Sequence, residues 1–329
     1  MIQTLASQRL VVPRFSLSRQ QPVGRSLLAS VALAAALGAS APAGALTISA
    51  NFDNVDAASQ AVINNVLAGY AATFSDPITV YIQFAGMNAG LGQSSTYSYT
   101  RSYADYITAL RADASSAADA TALASIPAGT NNPVLPGQTN IDVTRAQLNA
   151  VGIAQARPTD VNNLPTFDSV ISLNFSLMNT TRNGVIDPNK YDLQSTVQHE
   201  VNEVLGTVSN VGDSTTEIRP IDLFRYASPG GRSFGARSDP AYLSIDGGTS
   251  NLAGYNSRAT GDTGDFDSVV VRVQNAFGTP GATTVQLGVE LTALDVVGFT
   301  VAVPEPETYA MMLAGLLSLA ALSRRRRQG

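Results

Sequence analysis

Asp192-Leu193-Gln194-Ser195-Thr196-Val197-Gln198-His199-Glu200-Val201-Asn202-Glu203-Val204-Leu205-Gly206 is the segment on which the reading of this chain turns. Leu193, Val197, Val201 and Val204 recur at helical spacing and form one apolar stripe. Asp192 is a residue type that caps helix starts and Gly206 one that stops helices, so the spacing predicts a helix over 193–205. His199 and Glu203 are one turn apart on a shared face, and Glu200 stands about 100° round from His199. Two metal ligands beside a free carboxylate is the logic of H-E-x-x-H, where two histidines bind zinc and the glutamate is the general base. Here Glu203 takes the second ligand place, and carboxylate oxygens also bind zinc. His199 is the only histidine of the 329 residues, so further ligands must be carboxylate, tyrosine, carbonyl or water. The competing reading of the same letters is an amphipathic helix whose polar face carries one His and two Glu without chemistry.

Outward from this helix, the chain mixes helical and strand signals. Ile63, Val66, Leu67 and Tyr70 predict a helix over 56–70. Ile78, Val80, Ile82 and Phe84 alternate with Thr79, Tyr81 and Gln83, and Ile171, Leu173 and Phe175 alternate with Ser172 and Asn174; both are half-buried strands. Residues 86–100 are Gly-, Ser- and Tyr-rich and read as loop or irregular edge. Ser102 is placed to cap a helix carrying Tyr103, Tyr106, Ile107 and Leu110. Residues 112–128 read as helix or helix plus loop, and 144–153 as a short helix. Short strands are expected at 241–245 and 269–273, and a last helix at 291–297. With no regular βαβ alternation, the fold class is α+β, a mixed, mostly antiparallel sheet with an active-site helix.

Composition narrows the function. The chain has no cysteine, which removes disulfides, thiolate metal sites and cysteine nucleophiles. At 44% hydrophobic it is not disordered, and at 14% charged it is charge-poor against an average of about 25%. Between residues 46 and 303 acids outnumber bases about twofold, so nucleic acid is not a partner.

Both ends read as addresses. Arg9, Arg14, Arg19 and Arg25 precede an apolar run over 27–37 and the small-residue triplet Ala43-Gly44-Ala45, the layout of a secretory signal peptide over 1–45, to be removed by signal peptidase. At the other end, Pro304-Glu305-Pro306 is followed by an apolar stretch, Tyr309 to Leu322, and by Arg324 to Arg327. The stretch is shorter than the ~20 residues a spanning helix needs. Residues 304–329 closely resemble the PEP-CTERM sorting signal. That resemblance implies a Gram-negative host, recognition by an exosortase, transient inner-membrane anchoring, and a destination in the envelope or an exopolysaccharide layer. Residues 46–303 remain as the functional domain.

The approach to the His199 helix, with Ile221 to Gly230 and Leu291 to Phe299, resembles a family of predicted metalloproteases that carry PEP-CTERM tails and are zincin-like, of the metzincin type. The resemblance implies a zincin-like fold, zinc as cofactor and a peptide or protein substrate. The chain departs from the metzincin pattern where Ser209 stands at the third histidine, and no methionine follows Met178 until the tail. The third ligand must come from elsewhere; Asp222 is the candidate, with Asp213 second. In this reading Glu200 is the catalytic base, and His199, Glu203 and Asp222 hold the metal. Tyr226 and Arg225 are candidates for contact with substrate or transition state, against packing for Tyr226 and ion-pairing with Asp222 for Arg225. Asp262, Asp265 and Asp267, or Asp246, offer a calcium alternative, against solvated Asp/Gly turns. The expected function is an exported, envelope-sorted zinc metalloprotease. The alternatives are a non-catalytic relative acting as an exopolysaccharide-associated surface or matrix protein, and a calcium-stabilised structural protein of that layer.

Overall fold

Alternating short strands and one capped amphipathic helix build the first half of the principal sheet. In the computed structural model, which describes residues 45–127, 129–212, 216–284 and 287–302, β1 (Thr47–Asp53) leads into α1 (Ala57–Thr73) and then β2 (Thr79–Gly86). All of these residues lie in the second of two units of the chain, Ser40–Gly329. Asp56 caps α1 by accepting the N–H groups of Ala58 and Ser59. The order continues β3 (Gly92–Thr96), β4 (Ser98–Ser102), α2 (Tyr103–Asp113), α3 (Ala117–Ala124), β5 (Asn140–Thr144), α4 (Arg145–Ala150) and β6 (Ser169–Leu173). The principal sheet runs β1-β2-β6-β3, with β1/β2 and β2/β6 parallel and β3 antiparallel at the edge. Val80, Ile82, Phe84, Ile171 and Leu173 point from it into the core.

The second half begins with β7 (Met178–Asn179) and β8 (Tyr191–Asp192), and Asp192 caps α5 (Leu193–Asn202) by accepting the Ser195 N–H at 2.8 Å. Leu193, Val197 and Val201 are fully buried, as the stripe requires. The helix does not stay regular to residue 205. It widens into a π-type turn over Glu203–Thr207 and stops at Gly206, whose φ of 135° few other residues adopt. Helices α1 and α5 pack side by side on the principal sheet, α1 against β1 and α5 against the edge strand β3. A 3₁₀ turn (Pro220–Phe224) then leads to β9 (Arg225–Ser228), β10 (Gly231–Arg232), β11 (Tyr242–Leu243) and β12 (Ala253–Gly254), an antiparallel sheet ordered β10-β9-β11-β12. Helix α6 (Gly288–Asp295) closes the order. The fold is mixed α+β with mostly antiparallel ladders; the parallel pairs sit in the principal sheet and between β7 and β8.

Two expectations change. Residues 86–100 are largely strand, and β3 is the strand beside the site. Its letters, Gly-Gln-Ser-Ser-Thr, carry no apolar face because it borders a polar cleft. Residues 269–273 form no strand: Val269 is 84% exposed and the segment runs as turn and loop.

The C-terminal end of the described body is clasped to α1. Phe74 bridges Val301, Ala302 N–H donates to Thr73 O at 2.8 Å, and Thr300 N–H donates to the buried carboxylate of Asp76 at 3.1–3.2 Å. Burial pushes Asp76 up from 3.8 to about 7, against the Thr300 hydrogen bonds that favour its charged form. The folded state therefore binds a proton that the unfolded chain releases between those values, so this residue's contribution to stability falls as pH rises from about 4 to about 7. Urea unfolding of wild type and Asp76→Asn across that range should show a pH-dependent difference between them, with wild type gaining relative to the variant as pH falls.

Candidate metal centre

Helix α5 and the loop before residue 274 bring three ligand types to one point. His199 Nε2 lies 3.4 Å from Glu203 Oε1 and 3.5 Å from Asp265 Oδ1, and one ligand atom from each residue falls within 4.8 Å of the others. His199 Nδ1 faces the Val273 carbonyl at 3.0 Å; with the proton on Nδ1, Nε2 is left with a lone pair toward the carboxylates. Glu203 Oε2 accepts from Ser94 Oγ on β3 at 2.6 Å, and Asp265 Oδ1 accepts from Gln274 Nε2 at 2.9 Å. Glu200 is buried beside this trio, and among the described residues no hydrogen-bond donor reaches its Oε2.

The electrostatics are those of carboxylates forced together. Burial, then the charge of Glu203, pushes Glu200 up to about 9. Burial likewise raises Asp265 to about 7, with the His199 charge opposing. Burial works to lower His199, but Asp265 and Glu203 outweigh it and hold the imidazole well above its usual value. For Glu203 burial is again opposed, here by His199 and the Ser94 hydroxyl, and its carboxyl is held below the ordinary range. A divalent cation among these groups would reverse that balance, because it is the largest local charge wherever it binds.

The trio opens into a cleft of about 760 Å³, walled by Met87, Leu91 and Phe277 and floored by β3 on one side and α5 on the other. Gly92 makes the closest approach: a Cβ there would overlap Glu200 Oε1 and stand 3.0 Å from Thr196 Cγ2. On the opposite side, a Cβ on Gly264 would come within 2.6 Å of Thr207 O and 2.7 Å of Ser209 N, so the loop carrying Asp265 rests directly on the chain leaving α5.

His199, Glu200 and Glu203 are thus together, as their spacing requires. Asp222 does not join them. It is fully buried in the 3₁₀ turn, and its carboxylate accepts from Ser209 Oγ at 2.5 Å, Asn210 N and Arg219 N. Burial raises it, against those hydrogen bonds. Asp265 holds the third place instead. Arg225 is also buried; it donates to Thr263 O at 2.7 Å and lies over the Tyr255 ring, 4.3 Å from its centroid. Tyr226 is buried with its hydroxyl 3.4 Å from Ser125 Oγ, and neither side chain lines the cleft. Together Asp222 and Arg225 fasten the two loops, 207–211 and 261–265, that meet behind the trio. Of the calcium candidates, Asp265 belongs to the trio, Asp267 accepts from Val269 N, and Asp246 is engaged by Ser244 and Ser250. Asp213 lies outside the described residues, as do residues 1–44 of the signal segment over 1–45 and Pro304, Glu305 and Pro306.

Sequence reasoning missed Ser94, Gly92 and Gln274 because each comes from a separate segment with no motif of its own. Asp265 left one signal, an acid between Gly264 and Phe266 in a turn-rich stretch. The C-terminal segment is different. Residues 302–327 match the PEP-CTERM protein-sorting motif. The chain carries this sorting motif. It marks an exported protein, sorted to the cell envelope and processed by an exosortase. Comparison with curated proteins and with solved structures gives no match. Among the described residues no helix is long and apolar enough to cross a membrane, and Tyr309 to Leu322 lie outside them.

The tight seat of Glu200 against β3 has a direct test. Gly92→Ala should cost about 1–3 kcal/mol in urea unfolding, because the new methyl displaces a buried carboxyl. Gly86→Ala, with nothing within 4 Å of the added carbon, should stay within about 0.5 kcal/mol.

Proposed function

We propose that this chain is an exported, zinc-dependent metalloprotease-like hydrolase of peptide bonds. Residues 1–45 serve as the signal peptide, 46–303 as a zincin-like catalytic domain and 304–329 as the sorting signal. The observation that carries the reading is the convergence of His199, Glu203 and Asp265 in one open cleft, with the unpartnered Oε2 of Glu200 beside them.

The residues fit a divalent cation. Two buried carboxylates repel one another, and without an ion only a protonated His199 offsets that; a divalent cation would do so more strongly, and a donor set of one nitrogen and two oxygens suits zinc. His199, Glu203 and Asp265 would hold the ion. When bound, zinc supplies Lewis-acid polarisation of a carbonyl and acidifies water. The chain's own residues do the rest. Glu200 takes a proton from the attacking water as the oxygen–carbon bond forms, and returns it to the leaving amine as the carbon–nitrogen bond breaks. Edge strand β3 presents main chain to the cleft at Gly92, Gln93 and Ser94, which suits an extended peptide added as a further strand. Met87, Leu91 and Phe277 give that peptide an apolar wall.

Elemental analysis of the purified protein tests the reading. Wild type should carry close to one zinc per chain; His199→Ala and Asp265→Asn should lose it, and Asp222→Asn should keep it. Glu200→Gln should retain the metal and lose peptide hydrolysis by about 10²–10⁴-fold. Zinc retained by His199→Ala would sink the site. Full metal with no hydrolysis of any peptide library by wild type would favour the non-catalytic surface or matrix protein.

A further inference from the structure

Asp265 and the two α5 ligands come from different parts of the chain, so something must set their separation. Gln274 does this through its side-chain amide. Its Nε2 donates to Asp265 Oδ1 at 2.9 Å, and its Oε1 accepts from Asn202 Nδ2 at 3.0 Å. Asn202 lies on α5 one residue before Glu203, and its Oδ1 accepts from Tyr70 Oη on α1 at 2.5 Å. The direction of every link follows from the first. An ionised carboxylate only accepts, so Gln274 must turn its NH₂ toward Asp265 and its oxygen toward Asn202. Asn202 must then turn its NH₂ toward Gln274, and Tyr70 must donate.

The hub itself has no freedom. Gln274 is 0% exposed; its N–H donates to Glu290 Oε1 on α6 at 3.1 Å, and its carbonyl accepts from Phe266 N–H, next to Asp265, at 2.7 Å. Asn202 is also 0% exposed. A chain of side-chain amides this deeply buried exists at a desolvation cost unless every member is satisfied, and here each finds its partner.

We infer that Gln274 is a positioning residue for the metal centre: with Asn202 and Tyr70 it holds Asp265 at ligand distance from His199 and Glu203 before any ion arrives. This inference rests on the metal-site reading above. Loss of the Gln274 donor leaves Asp265 on its loop without that tie to α5, so an ion must order the carboxylate as it binds. Second-layer partners of this kind change metal affinity by about 10–100-fold.

Cobalt(II) is the probe, titrated into the purified full chain against a competing chelator and followed by its d–d absorption. Wild type should bind one cobalt and His199→Ala none. Gln274→Met, which keeps the volume and removes the donor, should weaken binding by about 10–100-fold and move the d–d bands, at a temperature where circular dichroism shows it folded. Gln274→Glu keeps an acceptor for Asn202 and faces Asp265 with an acceptor; it should weaken binding at least as much, and it stands in if Gln274→Met does not fold. Wild-type affinity and spectrum in either folded variant would overturn the role of Gln274 while leaving the site intact. No His199-dependent cobalt in wild type would overturn the site and this inference with it.

Discussion

Acidic side chains crowded around one imidazole are the constraint to which the rest of the fold answers. Glu200, Glu203 and Asp265 are each less than a tenth exposed, and burying like charges together is among the costlier things a domain can do. The surrounding structure meets that cost in parts: a hydroxyl from β3, an amide from the 274 loop, a backbone carbonyl that orients the imidazole. Each comes from a different segment. The principal sheet, α1, α5 and the late loops are held together where this polar cluster needs donors, and an apolar core lies on the other face of α5.

That division explains what could be read from the letters. The α5 stripe, its Asp192 cap and its stop near Gly206 are local, set by side chains within a turn or two of one another. So are the alternation of β2 and β6 and the Ser102 cap of α2. His199, Glu200 and Glu203 were legible for the same reason, since one helix fixes their mutual arrangement. Asp265 was legible only among the calcium candidates and not beside His199, because its place depends on a Gly264 contact with the chain at Thr207–Ser209 and on a glutamine nine residues further on. Asp222 drew the eye as an acid in a recognisable segment, yet its hydrogen bonds turn inward to the loop after α5. The Gly/Ser composition of 92–96 left loop and irregular edge both open, because an edge strand beside a polar cleft has no apolar face to show. The valines at 269–271 looked like strand, and they face solvent for want of a neighbouring ladder.

Asp222 and Arg225 still serve the site at one remove. Asp222 gathers Ser209, Asn210 and Arg219, and Arg225 gathers Thr263 and the face of Tyr255. The chain segments they hold are those that cross behind His199, Glu203 and Asp265. A segment that resembles a family motif can therefore be structural scaffolding for a cluster located elsewhere.

The clasp of residues 300–302 onto the end of α1 fixes where the folded body meets its sorting address. The sorting motif begins at residue 302, and the N–H of that residue is bonded to Thr73. Body and address thus share a residue. A substitution at Ala302 that disturbed its bond to Thr73 would thus touch the fold of the body and the first letter of its address at once.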